Sequence, residues 1–239
     1  MGIERNWTEG PWVGFDTETT GVDVAGDRVV QAAVVRRAGG LIEARTWLID
    51  PGVEIPEGAA AVHGITTEHA REHGARPVDA LEEIAAALAA AAGRGEPIVA
   101  FNASFDLCVL DADLRRHGLK TLTERLGGEV QALIDPLVLD RELVRFRRGK
   151  RRLGDLLAAY GVLAPEALHA ADVDVVATLD LLAAMVAQHP VLATMDLAAL
   201  RDWQVGAHHR WAEDFNRWRA GKGLTGPGAE TVWPARLPG

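Results

Sequence analysis

Residues 11–21 read PWVGFDTETTG, an apolar run that turns acidic toward its end at Asp16 and Glu18. Residues 11–16 have the short, apolar character of a buried strand. Two β-rich runs follow, RVVQAAVV at 28–35 and LIEARTWLI at 41–49. RRAGG parts them, and its glycine pair marks a hairpin turn. The three runs predict an antiparallel meander, closed by a loop at Pro51, Gly52 and Pro56. Beyond it the pattern changes. VDALEEIAAALAAAA at 78–92 is a strong helix former that starts just after Pro77. EPIVAF at 96–101 reads as a strand, ASFDLCVLDADLRRHG at 103–118 as a helix, and QALID at 131–135 as a strand stopped by Pro136. Helical patterns return at PLVLDRELVRF, at LGDLLAAYG and at DVDVVATLDLLAAMVAQH (172–189). A meander followed by strand–helix alternation predicts an α/β domain built on a mixed sheet with helices on its flanks.

With 239 residues, 48% hydrophobic and 25% charged, the chain has an ordinary globular balance and can bury a sizeable core. Its one cysteine, Cys108, excludes an internal disulfide framework. The opening MGIERNWTEGPW is polar and no stretch is apolar enough to span a bilayer, so the expectation is a soluble, cytoplasmic protein without a membrane partner. The formal net charge of −9 speaks weakly against nucleic acid. One segment, 141–152, runs the other way, with Arg141, Arg145, Arg147, Arg148, Lys150, Arg151 and Arg152. A charge run is usually a solvated loop, and a role in receiving a nucleic-acid backbone is the alternative. The last stretch, from about 190, holds Trp203, Trp211, Trp218 and Trp233, four of the seven tryptophans. Trp211 and Trp218 share one helix face, which predicts an amphipathic helix docked by its aromatic side, with a partner-binding helix as the alternative.

Asp16 and Glu18 are two apart on a strand, so both side chains leave one face. Adjacent carboxylates repel and raise each other's pKa unless a cation lies between them, and hard divalent ions suit such an all-oxygen setting. Asp106, in AFNASFD, falls in the first turn of a helix, where the dipole favours an acid, with Asn102 as the expected N-cap. His169 and Asp174 lie in HAADVD. Five residues on a helix turn about 500°, which leaves the two side chains on different faces. His169 can approach Asp174 if it belongs to the loop before the helix, where a base with a pKa near neutrality could meet water. Asp172 and Asp174 compete for the acidic role.

FDTETTG, then FNASFD, then H-x₄-D opening a late helix, together resemble the DnaQ-like (DEDDh) exonuclease superfamily, which includes the epsilon proofreading subunit of bacterial DNA polymerase III. VHGIT at 62–66 and Tyr160-Gly161 also match, and the resemblance runs from about residue 11 to 187. It implies a ribonuclease H-like fold over 11–187, an N-terminal tail at 1–10, and a helical Trp-rich extension at 188–239. It also implies a 3′–5′ exonuclease with two metal ions, Mg²⁺ or Mn²⁺. Asp16, Glu18, Asp106 and Asp174 would be ligands, and that spacing selects Asp174 over Asp172. His169 would be the base. Thr17, Thr19, His63, Gly64, Ile65, Asn102 and Phe105 would line the 3′ nucleotide, with Ile65 as a wedge between the last two bases.

The implied partner is the 3′ end of a single strand, DNA favoured over RNA, with a DNA polymerase as a further partner. Phe101 stands where many relatives carry histidine, and the tail does not match the epsilon polymerase-binding segment. An exoribonuclease, or a non-catalytic nucleic-acid-binding scaffold, are the alternative readings.

Overall fold

The computed structural model describes residues 6–165 and 169–235. Its centre is a five-stranded sheet in the order β3-β2-β1-β4-β5. The predicted meander is present: β1 (Trp12–Thr19), β2 (Val29–Ala38) and β3 (Leu41–Leu48) pair antiparallel. Gly39 and Gly40 make the two-residue turn between β2 and β3, with φ of 53° and 84°. Positive φ at both central positions is what a type I′ hairpin needs and what side chains resist. β1 runs three residues beyond Asp16, so both acids of the first motif lie inside the strand. A register shift between Glu18 and Thr19 bends β1 at that point.

β4 (Ile98–Val99) and β5 (Leu133–Ile134) complete the sheet in parallel with β1. Both are shorter than the 96–101 and 131–135 expected. Pro97 has no N–H to give, and Asn102 turns the chain into a helix with φ 64°. Helices α1 (Glu57–His63), α2 (Thr67–His73) and α5 (Leu122–Leu126) form where no helix was expected. They are too short to show a periodic pattern. The longer ones match: α3 (Pro77–Gly93), α4 (Ala103–Arg116), α6 (Pro136–Leu143), α7 (Leu153–Ala159) and α8 (Ala171–Gln188).

Helices cover both faces. On one, Leu81, Ile84 and Leu88 of α3 and Val109, Leu110 and Leu114 of α4 join Val13, Phe15 and Ile98. On the other, Leu139, Leu156 and Leu157, with Val175, Leu179 and Leu182 of α8, cover Val99 and Ile134. Gly14 lets α8 approach β1: a Cβ there would overlap Cγ1 of Val175 and sit 3.2 Å from Leu179. The sheet and its cover are those of the ribonuclease H-like fold. No helix among the described residues is long and apolar enough to cross a membrane.

The C-terminal helix α9 (Leu197–Gly221) is present, and Trp211 and Trp218 continue its docked stripe at seven-residue steps from Gln204, with burial fading toward the helix end. Its buried residues are Leu200, Gln204, Ala207, His208 and Ala212. Trp218 is 53% exposed. Two small alanines allow close approach, and Gln204 completes the open edge of β5. Its amide accepts from Asp135 N–H (2.8 Å) and donates to the Leu133 carbonyl (2.9 Å). A buried edge strand needs such a partner, and an indole cannot both donate and accept. At the other terminus, Trp7 is buried and donates from its indole to Met195.

Candidate active site

The site lies where β1, α4 and α8 meet. Asp16 and Glu18 project from β1 with Thr17 between them. The Thr17 N–H (3.0 Å) and hydroxyl (2.7 Å) both donate to one oxygen of Asp106, in the first turn of α4. Asp106 is buried, and these bonds fix it against β1. Asp174 enters from the first turn of α8, whose N-terminus is held by Gln31: Ala171 N–H donates to its side-chain oxygen (3.2 Å). Gln31 pairs with Glu18 across the β1–β2 ladder, so this bond sets α8 directly beside the acid.

His169 sits just ahead of α8, off the helix, as H-x₄-D spacing required. It is exposed, has φ 79°, and its N–H donates to Asp174 Oδ1 at 3.2 Å. Potential ligand atoms of Glu18, His169 and Asp174 lie within 4.8 Å of one another. Asp16 and Asp106 fall outside that close trio but are coupled to it electrostatically.

Burial is the first cause of every pKa shift among the four acids. Asp16 is pushed well above the usual carboxylate range by burial, then by Asp106, Glu18 and Asp174. Glu18 rises to about 8, through burial and then the charges of Asp174 and Asp106. Asp106 rises to about 7, although the two Thr17 hydrogen bonds oppose the shift. Asp174 is raised by burial against the pull of the His169 N–H. No cationic side chain figures among the causes acting on Asp16 or Glu18. Acids gathered with no counter-charge among the described residues beyond His169 beside Asp174, and all offering oxygen, fit a hard divalent cation.

The remaining expected residues are placed as follows. The Thr17 hydroxyl is committed to Asp106, and that of Thr19 donates to the Gly21 carbonyl (2.6 Å). His63 ends α1; its Nδ1 accepts from Ile65 N–H (3.2 Å). The buried Nε2 lies near the Thr19 carbonyl without closing an ordinary hydrogen bond, and burial lowers the ring's pKa. Gly64 supplies the left-handed cap of α1, with φ 76°. Ile65 is 7% exposed, packed with Val30, Ile55 and Ala70. A wedge role would require it to leave that cluster. Phe105 is half-buried against the α3–α4 core.

Asn102 departs from its expected capping role: its side chain makes no cap bond. Asp135 does the capping instead, accepting from Asn102 N–H (3.1 Å) and Ala103 N–H (2.9 Å) while also capping α6 through Leu137 N–H (2.9 Å). Asn102 is thereby left exposed at the site with its amide free among the described residues. Asp135 was not anticipated. Its one sequence signal was an acid just before Pro136, a helix-start pattern.

Residues 13–182 match the family model RNase_T, described as Exonuclease. The chain belongs to this exonuclease family. The DnaQ-like resemblance drawn from the motifs is thereby borne out. Among sequence relatives, the PolC-type DNA polymerase III of Streptococcus agalactiae is 33% identical over 179 residues, 74% of this chain and 11% of that polymerase. That of Streptococcus thermophilus is 33% identical over 173 residues, 71% and 11%. The chain thus spans about a tenth of the length of these relatives. Among solved structures, E. coli Exonuclease I in complex with a dA16 oligonucleotide superposes with TM-score 0.65 at 21% identity, over 84% of this chain and 44% of that one. Exonuclease I from Methylocaldum szegediense gives TM-score 0.64 at 24% identity, over 87% and 46%.

Proposed function

We propose that the chain is a metal-dependent 3′–5′ exonuclease that hydrolyses the terminal phosphodiester of single-stranded DNA and releases nucleoside 5′-monophosphates. The observation that carries this is the meeting of Glu18, His169 and Asp174 within 4.8 Å, with Asp16 and Asp106 coupled to them, in a chain of the exonuclease family. Asp16, Glu18, Asp106 and Asp174 would hold two divalent ions, Mg²⁺ or Mn²⁺, which supply Lewis-acid stabilisation of the developing charge.

His169 accepts the proton of the attacking water. Its exposure and its place outside α8 suit a base that must reach solvent, although its ring nitrogen also stands at ligand distance from the acids. Thr17 holds Asp106 in place, and the free Asn102 amide meets the terminal sugar or phosphate. His63 and Gly64, at the end of α1, border the terminal nucleotide from the β1 side. The PolC-type relatives and the oligonucleotide bound to E. coli Exonuclease I favour DNA over RNA. The polymerase relatives also favour a DNA polymerase as partner.

The test is a matched panel of single-stranded DNA and RNA of one sequence with Mg²⁺ or Mn²⁺. The expected result is faster degradation of DNA. Faster RNA degradation would move the assignment to an exoribonuclease, and intact substrates throughout would favour a scaffold.

A further inference from the structure

The basic run at 141–152 divides into residues that build the loop between α6 and α7 and residues that the loop displays. Asp140, fully buried, accepts from Arg147 (2.6 Å), from Arg151 and from the Tyr160 hydroxyl (2.9 Å). Arg151 also donates to the Val144 carbonyl (2.8 Å). Arg141 lies half-buried with its guanidinium 3.5 Å from the centre of the Trp211 ring. These three arginines are scaffold. Arg148, Lys150 and Arg152 are exposed and make no ion pair among the described residues. Beside them Phe146 is 94% exposed. An anchored loop that holds out one phenyl ring and three unpaired cations gains nothing from it in folding.

The loop adjoins the aromatic side of α9. Glu142, at the end of α6, accepts from Arg210 of α9 (2.9 Å) and lies 4.0 Å from Arg145 of the loop. The next residue, Trp211, begins a ladder. Trp211 and Phe215 stack at 5.5 Å with planes 15° apart, and Phe215 and Trp218 at 5.8 Å and 29°. The Arg219 guanidinium stands 5.9 Å from Phe215. The ladder continues the docked stripe of α9 beyond Gln204: Trp211, under Arg141, and Phe215 are half-buried, and Trp218 at its end is exposed. α6 is capped by Asp135, whose charge is felt by Asp106, and its eight residues span about 12 Å.

We propose that Phe146, Arg148, Lys150 and Arg152, continued by Trp218 at the exposed end of the ladder, form a track that binds single-stranded nucleic acid leading away from the 3′ end. This rests on the reading of the chain as a nuclease of single strands. Exposed rings stack on bases without regard to sequence, and cations beside them hold phosphates. The cations stand out against the net charge of −9, which turns phosphate away elsewhere.

The test uses the full chain carrying Asp16→Asn, which should bind strands without cutting them. Its affinity for a roughly 20-nucleotide oligo-dT is followed by fluorescence anisotropy across salt concentrations, within the site-size range of single-strand binders. Adding Phe146→Ala, Arg148→Ala, Lys150→Ala and Arg152→Ala should weaken binding at least about tenfold. It should also flatten the log–log salt slope by about 2, from three lost phosphate contacts at about 0.7 each. Trp218→Ala alone should weaken binding about fivefold or more and leave the slope unchanged, as stacking would. Circular dichroism melting confirms that the exposed-residue variants fold. In the cutting-competent chain the loop variant should lose much of the preference for the long strand over a tetranucleotide.

Unchanged affinity and slope in both variants would overturn the track, even with nuclease activity intact. A shift from dimer to monomer with unchanged DNA affinity would overturn it in favour of a contact between two copies. If the parent chain failed to hydrolyse DNA but bound it with this same dependence, the nuclease reading would fall and the track would stand.

Discussion

The backbone N–H of His169 donates to Asp174 Oδ1 at 3.2 Å, while His169 holds a left-handed φ of 79°. One residue thus fixes an acid with its backbone and leaves its ring exposed. The two roles are separable by mutation.

His169→Ala keeps the N–H and removes the ring. The expected outcome is a kcat about 10²–10⁴ lower, typical of a lost general base, with metal affinity near that of the parent. Single-turnover rates and a metal titration check it. A drop in metal affinity instead would make His169 a ligand. His169→Gly should be as inactive but more stable than His169→Ala by about 1 kcal/mol, because glycine accepts positive φ.

Gly14→Ala places a methyl against Val175, whose β-branched side chain has few other rotamers. α8 must shift, and it carries Asp174. A destabilisation of about 1–3 kcal/mol is expected, with a loss of kcat larger than thermal unfolding accounts for. Denaturant melts and turnover on one preparation check it; parental values for both would show that α8 is not seated by this contact.

Asp135→Asn removes a carboxylate that caps α4 and α6 together. Leaving buried N–H groups short of an acceptor should cost about 1–3 kcal/mol. Because α4 carries Asp106, metal affinity should fall as well, read by the metal concentration that restores half-maximal turnover.

The metal-free chain should have an inverted pH profile of stability. Folding raises Asp106 from 3.8 to about 7 and Glu18 from 4.5 to about 8. The folded form therefore binds more protons than the unfolded one between these limits. Stability is fully present below the unfolded values and is lost as pH rises through about 7 to 8. In EDTA, Tm should fall from pH 5 to pH 8. Glu18→Gln should flatten that fall, and Mg²⁺ should raise Tm more at pH 8 than at pH 5. Differential scanning at the two pH values decides it; an EDTA profile that climbs with pH would contradict the buried-acid account.

Much of this architecture could be read from local patterns. The glycine pair at 39–40 and the periodicity of α3, α4 and α8 are local signals, and they stood up. His169 could be moved off the helix because 500° of turn misaligns it with Asp174. What escaped was set by distant partners. Gln204 anchors the docked stripe of α9 because β5 had an open edge 69 residues away in sequence, which no tryptophan spacing reveals. Asp135 displaced Asn102 as the cap of α4 for the same reason. The 141–152 run looked uniform in charge, yet a single buried acid, Asp140, separates its anchoring arginines from its displayed ones.

The central claim is metal-dependent release of nucleotides from the 3′ end by the acid cluster on β1, α4 and α8. It is tested most directly by incubating single-stranded DNA, labelled at either end, with Mg²⁺ or Mn²⁺ and resolving the products over time. The account predicts that the 3′ label leaves at once as a mononucleotide and the 5′ label shortens stepwise. Both should stop in EDTA and in Asp16→Ala or Asp174→Ala. Early release of the 5′ label as a mononucleotide, or undiminished release in Asp16→Ala, would contradict it.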